Sequence, residues 1–545
     1  MHRLLRAPFA KCCNSARATQ LPLACHYTTT TTTPVNNTTP DWDSDEGLFT
    51  FTRGRFLYDE NRQMAQRTVR FSMSRLARAA AASIGADRCV HVQKCPDGLY
   101  NKAYIFRMDD GREVIGKVPN PNAGLPHYTT ASEVATMDFT NSVGAEYIIM
   151  EKAEGVPLGR VWNSLGAPDK SKLLRQVFRF TNAWLANPLP GYGGLYYAND
   201  LPSGRSIPIG GTQFAIGPTV GRDWCDAGRK GLECDRGPWG SALEYRRAIG
   251  VREQAAVHNL PQRVPQWAML TGPGLYQPSP SNKLSALAAY LQVLDHVLPQ
   301  ESDAELQDIL PSRLWHDDLH AENIFVNPSE PTQITAIIDW HSTQAAPLFD
   351  HTMDPSFLEY DGPEIGDDLS KPAPLDTTGV PEEEKAAMVA AYIDRALMIA
   401  WRGLLRSRNP AQYHTIKFQD TTAGHILQAA RRAYEAGEAH LAVLILDLRD
   451  AWPADAGADF PVTLSEQEAA RIRRATDEAD RGAGLVVQAK AQLGDRWPEN
   501  GLVEHEAYEE TRALLTYVRD EMAEQCFGGD EVAEGEFVRG WPFES

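Results

Sequence analysis

The sequence predicts an α+β fold of two lobes, a small β-rich N-lobe and a larger, mainly helical C-lobe, with extra C-terminal helices. Two observations carry this prediction. Short β-prone runs separated by turn signals occupy residues 90–118, and stretches with apolar residues at helical spacing follow after residue 170. A chain of 545 residues with 43% hydrophobic content can bury a core in each of two or three domains.

The N-lobe is expected over residues 45–150. Three β-prone runs are separated by turn signals at Pro96-Asp97-Gly98 and Asp109-Asp110-Gly111, and the second turn predicts a hairpin. A helix-like stretch rich in Ala and Arg precedes them, and a further helix and strand follow. These elements are expected at 65–85 (helix), 90–92, 103–108 and 113–118 (strands), from Thr130 onward (helix) and at 147–150 (strand).

The C-lobe is expected over residues 151–360, with helices at 170–186 and 284–298. In the second helix leucines recur at alternating steps of three and four residues, so one face packs into a core, and Pro299 ends it. Residues 188–282 are rich in Gly, Pro, Trp and Tyr and are predicted to be long ordered loops over the cleft, where substrate is selected. Five of their residues either contact substrate or anchor the loops: Asp223, Trp224, Asp235, Arg236 and Trp239.

Residues 361–545 are expected to form a helical C-terminal extension. Amphipathic patterns cover 382–406 and 423–449, and an acidic helix covers 502–526. A lid, a wall of the substrate site and a module that binds a protein partner all remain open for this extension.

Residues 314–340, LWHDDLHAENIFVNPSEPTQITAIIDW, carry the chemistry. Asp318 and Asn323 have the spacing of the base and the metal-binding Asn in the kinase pattern H-R-D-L-x-x-x-N. After a turn region, the apolar run 334–338 predicts a buried strand that delivers Asp339 at its end. A carboxylate beside a carboxamide supplies the oxygen ligands that Mg²⁺ prefers. The segment therefore predicts a phosphoryl-transfer site with Asp318 as base and Asn323 and Asp339 as metal ligands.

A zinc site is the alternative interpretation of the same segment. HDDLH has the i, i+4 histidines of a zinc-protease helix, His316 and His320, with Asp317 where H-E-x-x-H has Glu. That motif requires a helix several turns long. Pro311 stands shortly before it and β-prone residues follow almost at once, which disfavours the zinc interpretation.

The segment resembles the aminoglycoside phosphotransferase family, whose pattern is H-x-D-x-H-x-x-N followed by I-D-W. His316, Asp318, His320, Asn323 and Ile338-Asp339-Trp340 match it. Other stretches resemble the fungal, mitochondrially targeted branch of that family named for altered inheritance of mitochondria protein 9. They are EVIGKVPNP (113–121), TASEVATM (130–137), YIIMEKAEG (147–155), GGLYYANDL (193–201), FAIGPTVGRDW (214–224) and DRGPWGS (235–241). The likeness spans roughly residues 45–360 and implies a protein-kinase-like fold.

The resemblance implies a nucleotide site in the N-lobe that binds ATP and Mg²⁺. Gly98 to Asn101 stands where a kinase places its phosphate-covering loop. Lys117 would pair the α- and β-phosphates and be held by Glu133, although Glu133 could instead be a first-turn acid that favours the helix dipole. Backbone groups of Glu151 and Ala153, in the linker between the lobes, would bind adenine.

The resemblance also assigns supporting roles near the base. His316 and His320 are expected to brace the loop around Asp318 by hydrogen bonds. His341, directly after Asp339-Trp340, departs from the acidic or amide residue common there in the family.

Composition narrows the location and partners. Residues 1–40 contain four Lys or Arg, no acid and many small or hydroxylated residues, which is typical of a mitochondrial transit peptide. The net charge of −19 disfavours a nucleic-acid or anionic-membrane surface, and no apolar run is long enough to span a bilayer. The five cysteines after residue 40 have no C-x-x-C spacing and are odd in number, which fits a reducing compartment such as the mitochondrial matrix.

Two functional hypotheses follow. In the first, the protein transfers the γ-phosphoryl group of ATP to a hydroxyl of a small-molecule acceptor, with Asp318 accepting the proton. In the second, it is a nucleotide-binding scaffold of mitochondria with little or no turnover, because a fold does not by itself fix function.

Overall fold

The computed structural model describes residues 41–543 except 136–144, 262–267, 301, 352, 359, 361 and 454–458. The predicted transit peptide, residues 1–40, lies outside the described residues. Within the described residues the predicted α+β fold class is confirmed, because a β-rich N-terminal lobe precedes a mainly helical remainder.

The N-lobe is built on an antiparallel sheet in the order β2-β3-β4-β5. The predicted hairpin is confirmed, since Arg107 of β3 pairs with Glu113 of β4 across the turn. Helix α2, capped by Ser72, packs its apolar face on this sheet. The elements are β1 (Gly54–Phe56), α1 (Glu60–Ala65), α2 (Met73–Ser83), β2 (Cys89–Lys94), β3 (Asn101–Met108), β4 (Glu113–Pro119), α3 (Tyr128–Ala135) and β5 (Ile148–Glu151).

A buried ion cluster ties the start of the N-lobe to the turn before β3. The Asp97 carboxylate accepts hydrogen bonds from Lys102 Nζ at 2.9 Å and Lys94 Nζ at 2.7 Å. It also accepts one from the backbone N–H of Thr52 at 2.8 Å. Both Asp97 and Lys102 are buried, so this cluster holds the segment before β1 on the sheet.

The C-lobe combines helices with two small sheets. Their strand orders are β10-β13-β7-β9-β8 and β12-β11-β6. Strand β12 is only half-buried, so the expectation of a buried strand before Asp339 was wrong. The elements are β6 (Val156–Pro157), α4 (Ala167–Leu185), β7 (Gly193–Tyr197), β8 (Ile207–Pro208), β9 (Phe214–Gly217), α5 (Ala242–Asn259), α6 (Pro280–Val297), β10 (Ser312–Trp315), β11 (Ile324–Asn327), β12 (Glu330–Ile337) and β13 (Gln344–Pro347).

Residues 188–282 contain more regular structure than the sequence predicts. They include β7, β8, β9 and the whole of α5, so the prediction of long loops was wrong for these stretches. Helix α5 escapes a pattern search because its buried face carries Arg246, Arg252 and Glu253. Charged residues on a core face remove the apolar periodicity on which helix prediction depends.

The C-terminal helices contribute to two separate hydrophobic cores. Apolar residues of α7 to α11 share one continuous core with α4, α6 and β11, whereas α12 to α14 pack with Leu57 and Leu270 in another. The predicted helix 423–449 is broken near Gly437, which has φ +86°, and the long α12 was not predicted. The elements are α7 (Glu382–Arg408), α8 (Pro410–Gln419), α9 (Thr422–Ala430), α10 (Ala433–Ala436), α11 (Ala439–Asp450), α12 (Glu466–Leu493), β14 (Leu502–Glu504), α13 (Tyr508–Phe527) and α14 (Glu531–Gly540).

Strand β14 reaches back to the N-lobe, because Gly54 of β1 pairs with Glu504 in a two-stranded antiparallel ladder. In the part of the chain that the structure describes, every helix is too short or too polar to cross a bilayer. Among the described residues, the cysteines at 89, 225, 234 and 526 are free thiols.

Candidate active site

Three segments that are far apart in sequence converge on the ammonium group of Lys117. Lys117 Nζ on β4 lies 2.5 Å from Glu133 Oε1 on α3 and 2.6 Å from Asp339 Oδ1 after β12. Helix α3 begins at Tyr128, so Glu133 lies beyond its first turn and the helix-dipole alternative was wrong. The structure therefore brings together the predicted lysine, its predicted partner and a predicted metal ligand.

Burial and charge act against each other in this cluster. Burial alone would lower the pKa of Lys117, but the Glu133 and Asp339 carboxylates raise it above its ordinary value. Burial raises the pKa of Glu133 despite Lys117, and one of its oxygens, Oε2, is buried without a hydrogen-bond partner. For Asp339, burial is outweighed by Lys117 and His341, which lower its pKa to about 2. Asp339 is therefore an anion at neutral pH, as a cation ligand must be.

The predicted base lies in the turn between β10 and β11. The Asp318 side chain is 56% exposed, which leaves its carboxylate accessible to a substrate. His320 Nε2 lies 3.5 Å from Asp318 Oδ2, and although burial would lower the pKa of His320, Asp318 raises it. Residues 316–320 form a turn and not a helix, so the zinc-helix alternative was wrong. Among the described residues, no group of three His, Cys, Asp or Glu side chains is arranged to hold a metal ion.

His316 fixes the position of Asp318 and of the strand that precedes Asp339. Its Nε2 donates to the Ile338 carbonyl at 2.9 Å, and its Nδ1 accepts from the Asp318 backbone N–H at 3.3 Å. These two bonds define a neutral ring, and burial lowers the pKa of His316 accordingly. The ring also packs against Trp184 and Trp340. This arrangement agrees with the predicted bracing role.

Asn323 joins the loop that contains Asp318 to the segment that leads to Asp339. Its Nδ2 donates to the Asp318 carbonyl at 2.9 Å, and its own carbonyl accepts from the Ile338 N–H at 2.9 Å. Because the Asn323 amide nitrogen bonds to Asp318, its side-chain oxygen can serve as a ligand to a cation. Lys117 engages one of the two Asp339 oxygens, Oδ1. Two hard oxygen donors on neighbouring segments fit Mg²⁺, which keeps several waters and completes its octahedron with substrate phosphates.

Asp339 has a backbone conformation that is rare for a residue other than glycine. Its φ is +64°, and Ser342, three residues on, has φ +60°. Such left-handed residues cost free energy and occur where the surrounding structure requires a particular side-chain direction. Here the turn directs the Asp339 carboxylate to Lys117 across the cleft and leaves it 31% exposed.

The loop before β3 is tight, as expected for a short turn. The Gly98 N–H donates to the Asn101 carbonyl at 3.2 Å, and Asn101 then pairs with Pro119 at the end of β4, two residues from Lys117. Gly98 and Asn101 therefore lie at the same end of the sheet as Lys117. Tyr100, between them, contacts the C-lobe, which the sequence did not predict.

The connection between the lobes leaves β5 at Glu151. The Glu151 side chain is exposed and Ala153 is half-buried. Gly155 has φ +101°, and a Cβ at this position would lie 2.2 Å from the Val326 carbonyl oxygen. Only glycine allows this approach. The linker is thereby held against β11, and so against the strand that follows the base loop.

The five loop residues expected either to contact substrate or to anchor the loops act as anchors in the structure. Trp224 and Trp239 are buried, and Asp235 accepts from the Trp239 Nε1–H at 2.8 Å. Arg236 donates to backbone carbonyls, including that of Trp224 at 2.7 Å. Asp223 bridges Arg252 at 2.9 Å and Arg431 at 3.2 Å, which lowers its pKa despite its burial. The sequence gives no local sign that Arg222, which lies within the stretch FAIGPTVGRDW, contacts the N-lobe.

Comparison with known proteins agrees with this geometry. Residues 91–351 match the model of a family described as the phosphotransferase enzyme family. A subtelomeric hrmA-associated cluster protein of Aspergillus fumigatus is 27% identical over 515 residues, which cover 84% of this chain and 97% of that protein. The resemblance expected from the sequence motif is therefore confirmed over residues 91–351.

More distant relatives carry a mitochondrial name. Altered inheritance of mitochondria protein 9, mitochondrial, from Saccharomyces cerevisiae is 24% identical over 364 residues, which cover 58% of this chain and 57% of that protein. Its namesake in Yarrowia lipolytica is 24% identical over 372 residues, which cover 62% of its length. The match thus spans under two thirds of these relatives.

Several solved structures are similar to this chain over most of their own length, but their TM-scores are low. An aminoglycoside phosphotransferase mutant in a ternary complex with ADP and hygromycin B covers 68% of this chain at 13% identity and a TM-score of 0.32. A macrolide 2'-phosphotransferase from Brachybacterium faecium covers 66% at 14% identity and a TM-score of 0.25. From its family match and its motifs, the chain resembles, over residues 91–351, the phosphotransferase enzyme family.

Proposed function

We propose that this protein is an ATP- and Mg²⁺-dependent phosphotransferase that moves the γ-phosphoryl group to a hydroxyl of a small-molecule acceptor. The observation that carries the proposal is the convergence of Lys117 on both Glu133 and Asp339, from β4, α3 and the turn after β12. The kinase reaction requires this lysine–glutamate pair and a metal-binding Asp together, because positioning and charge stabilisation supply most of the catalysis.

Each residue has a defined role in this proposal. Asp318, exposed and held by His316 through its backbone, accepts the proton of the acceptor hydroxyl. His320 lies 3.5 Å from the Asp318 carboxylate and orients it. Asn323 and Asp339 would hold Mg²⁺, which neutralises the charge that develops on the phosphates.

The N-lobe and the linker would bind the nucleotide. Lys117 would pair the α- and β-phosphates of a bound nucleotide, while Glu133 holds the ammonium in place. Gly98 and Asn101 shape the loop over the phosphates, and backbone groups of Glu151 and Ala153 bind adenine. In this division residues 45–150 form the nucleotide lobe, 151–360 the catalytic lobe, and 361–545 an extension that could also receive a protein partner.

The location proposed is the mitochondrion. Its support is the acid-free, Arg-containing segment 1–40 together with the printed mitochondrial name of two distant relatives. Imaging of the full chain fused at its C-terminus to a fluorescent protein tests this, with a variant in which Arg3, Arg6, Lys11 and Arg17 are Gln as control. Diffuse fluorescence of both chains would contradict it.

The activity is tested by thermal unfolding and by turnover. At about 100 times its Kd, Mg-ATP should add about 2.7 kcal/mol to the free energy of unfolding, an effect that Asp339→Ala should abolish. Asp318→Asn should keep that shift and lower phosphorylation of a responsive acceptor, found by screening hydroxylated metabolites, by about 10²–10⁴-fold. Asp317→Asn, which alters the neighbouring carboxylate that binds His351, is the matched control and should act within a fewfold of the wild type.

The outcomes separate the two functional hypotheses. No magnesium-dependent shift in the wild type would contradict the nucleotide site itself. A shift without turnover on any hydroxylated metabolite would instead favour the nucleotide-binding scaffold, whose partners would then be sought in mitochondrial extract.

A further inference from the structure

Tyr100, the last residue of the loop between β2 and β3, contacts two residues of the C-lobe. The Arg222 guanidinium carbon lies 3.5 Å from the centroid of the Tyr100 ring. The His341 ring lies 6.2 Å away, with its plane inclined by 19° to that of Tyr100. We call these three residues the aromatic clasp. It joins the loop expected to cover the phosphates to the segment that carries Asp339.

Arg222 is held in place from both lobes. Its Nη1 donates to the Ala123 carbonyl at 2.7 Å, in the turn that follows β4. Its Nη2 and Nε engage the Asp226 carboxylate one turn further along its own loop. A nearby hydrogen bond also joins the two lobes: Lys230 Nζ donates to the Pro121 carbonyl at 2.9 Å. The guanidinium is therefore a fixed, planar group that bridges the lobes next to Tyr100.

The loop of Arg222 is positioned by the same segment that carries the candidate metal ligand. Gln344, the first residue of β13, accepts a hydrogen bond from Thr219 Oγ1 at 2.7 Å, and both side chains are buried. Thr219 Oγ1 in turn accepts from the Gly221 N–H at 3.2 Å. A Cβ on Gly221 would lie 2.7 Å from Gln344 Oε1, so the backbone approaches this side chain closely. His341 and Arg222 thus reach Tyr100 from one rigid base.

This geometry gives a purpose to His341, which replaces the acidic or amide residue common in the family. The ring is partly buried and lies nearly parallel to the Tyr100 ring. A flat imidazole suits packing against Tyr100, whereas an acidic or amide side chain would offer no ring to this contact.

We propose that Arg222 is a positioning residue which, through Tyr100, holds the loop 98–101 closed over the phosphates of the nucleotide. This inference rests on the proposed function. Arg222 is not assigned a contact with the reacting atoms. Its effect is on the order and position of a loop in the N-lobe, and through that loop on the affinity for Mg-ATP.

The first test needs no nucleotide. Amide hydrogen exchange of the ligand-free full chain is followed at residues 98–101 in the wild type and in Tyr100→Ala, Arg222→Gln, Arg222→Lys and Tyr100→Phe. Exchange there should accelerate about 3- to 30-fold in Tyr100→Ala and Arg222→Gln, the range expected for losing a partly buried cation–π contact. Arg222→Lys keeps the charge but loses the planar group and should resemble Arg222→Gln, while Tyr100→Phe should stay near the wild type. Exchange at α6 reports whether each variant remains folded.

The second test separates positioning from general structural damage. With Mg-ATP and the acceptor found by screening, Tyr100→Ala and Arg222→Gln should raise KM for Mg-ATP about 3- to 30-fold and leave kcat within about threefold. Tyr100→Phe should change neither quantity by more than about threefold.

Unchanged exchange at 98–101 in both Tyr100→Ala and Arg222→Gln would overturn the clasp. Faster exchange with an unchanged KM would overturn its role in binding nucleotide. If the wild type fails to bind Mg-ATP, the proposed function fails and the role in nucleotide binding fails with it. The exchange experiment then still decides whether the clasp orders the loop.

Discussion

Two lysine–carboxylate clusters lie in the same lobe and differ in how completely they are satisfied. In the first, the Asp97 oxygens both accept hydrogen bonds, Oδ1 from Lys102 and Oδ2 from Lys94 and Thr52. In the second, Lys117 binds one oxygen each of Glu133 and Asp339. Glu133 Oε2 is buried without a partner, and Asp339 opens to the cleft.

The difference separates structural from functional use of the same chemistry. A buried charge that lacks full hydrogen bonding costs free energy, so a fold tolerates it only where something else requires it. The Lys117 cluster carries one more negative than positive charge, which a bound cation would balance. The Asp97 cluster has no unused carboxylate oxygen to offer a ligand. We therefore expect changes at Asp97 to affect stability and changes at Glu133 to affect activity.

The largest expected effect on stability follows from Asp97→Ala. The change leaves the buried Lys102 and the nearby Lys94 without their carboxylate, and breaking a buried pair by removing one partner costs about 3–5 kcal/mol. Urea unfolding of the full chain measures this loss. The matched control is Asp110→Ala, at an exposed carboxylate in the next turn that pairs with Arg112, and it should leave the free energy of unfolding nearly unchanged. Equal costs for the two variants would contradict a structural role for the Asp97 cluster.

Glu133→Gln should have the opposite effect: it should lower activity and leave stability nearly unchanged. A neutral amide is cheaper to bury than a carboxylate whose second oxygen has no partner, so the free energy of unfolding should change by less than about 1 kcal/mol. Turnover should nevertheless fall about 10- to 100-fold, because the amide holds the Lys117 ammonium less firmly than a carboxylate does.

The result is measured by urea unfolding together with phosphorylation of the acceptor found by screening. A Glu133→Gln variant that is both fully active and strongly destabilised would reverse the assignment of the two clusters, and unchanged activity alone would remove Glu133 from the site.

The comparison also marks what the sequence can predict. The Lys117–Glu133 pair was expected because a strand lysine and a helical glutamate in this order occur within stretches that resemble the family. The Asp97 cluster was not expected, because Pro96-Asp97-Gly98 has the composition of any turn and nothing local indicates that two lysines and the segment before β1 converge on it.

Other errors have similar physical causes. Local periodicity predicts the β3–β4 hairpin and α6, whose patterns depend on near neighbours in sequence. It misses α5, where buried arginines and Glu253 form ion pairs with distant elements, such as Arg246 with Asp350. It likewise misses the clasp, since the contact of Tyr100 with Arg222 depends on how the two lobes pack. Long-range pairing of polar groups leaves little trace in one sequence.

The smallest expected effect is a difference in the sign of pH dependence. Burial opposes ionisation of Asp97, but Lys94 and Lys102 lower its pKa below the usual 3.8, so its stabilising effect is complete above that value and is lost as the pH falls through the lowered pKa. Burial raises the pKa of Glu133 above 4.5 despite Lys117, so the wild type loses stability as the pH rises through that range. Urea midpoints measured from about pH 3 to about pH 7 should show the advantage of the wild type over Asp97→Asn growing with pH. Over the same range the stability of Glu133→Gln should increase relative to the wild type. Parallel curves for the two variants would show that the clusters do not differ in how their carboxylates are held.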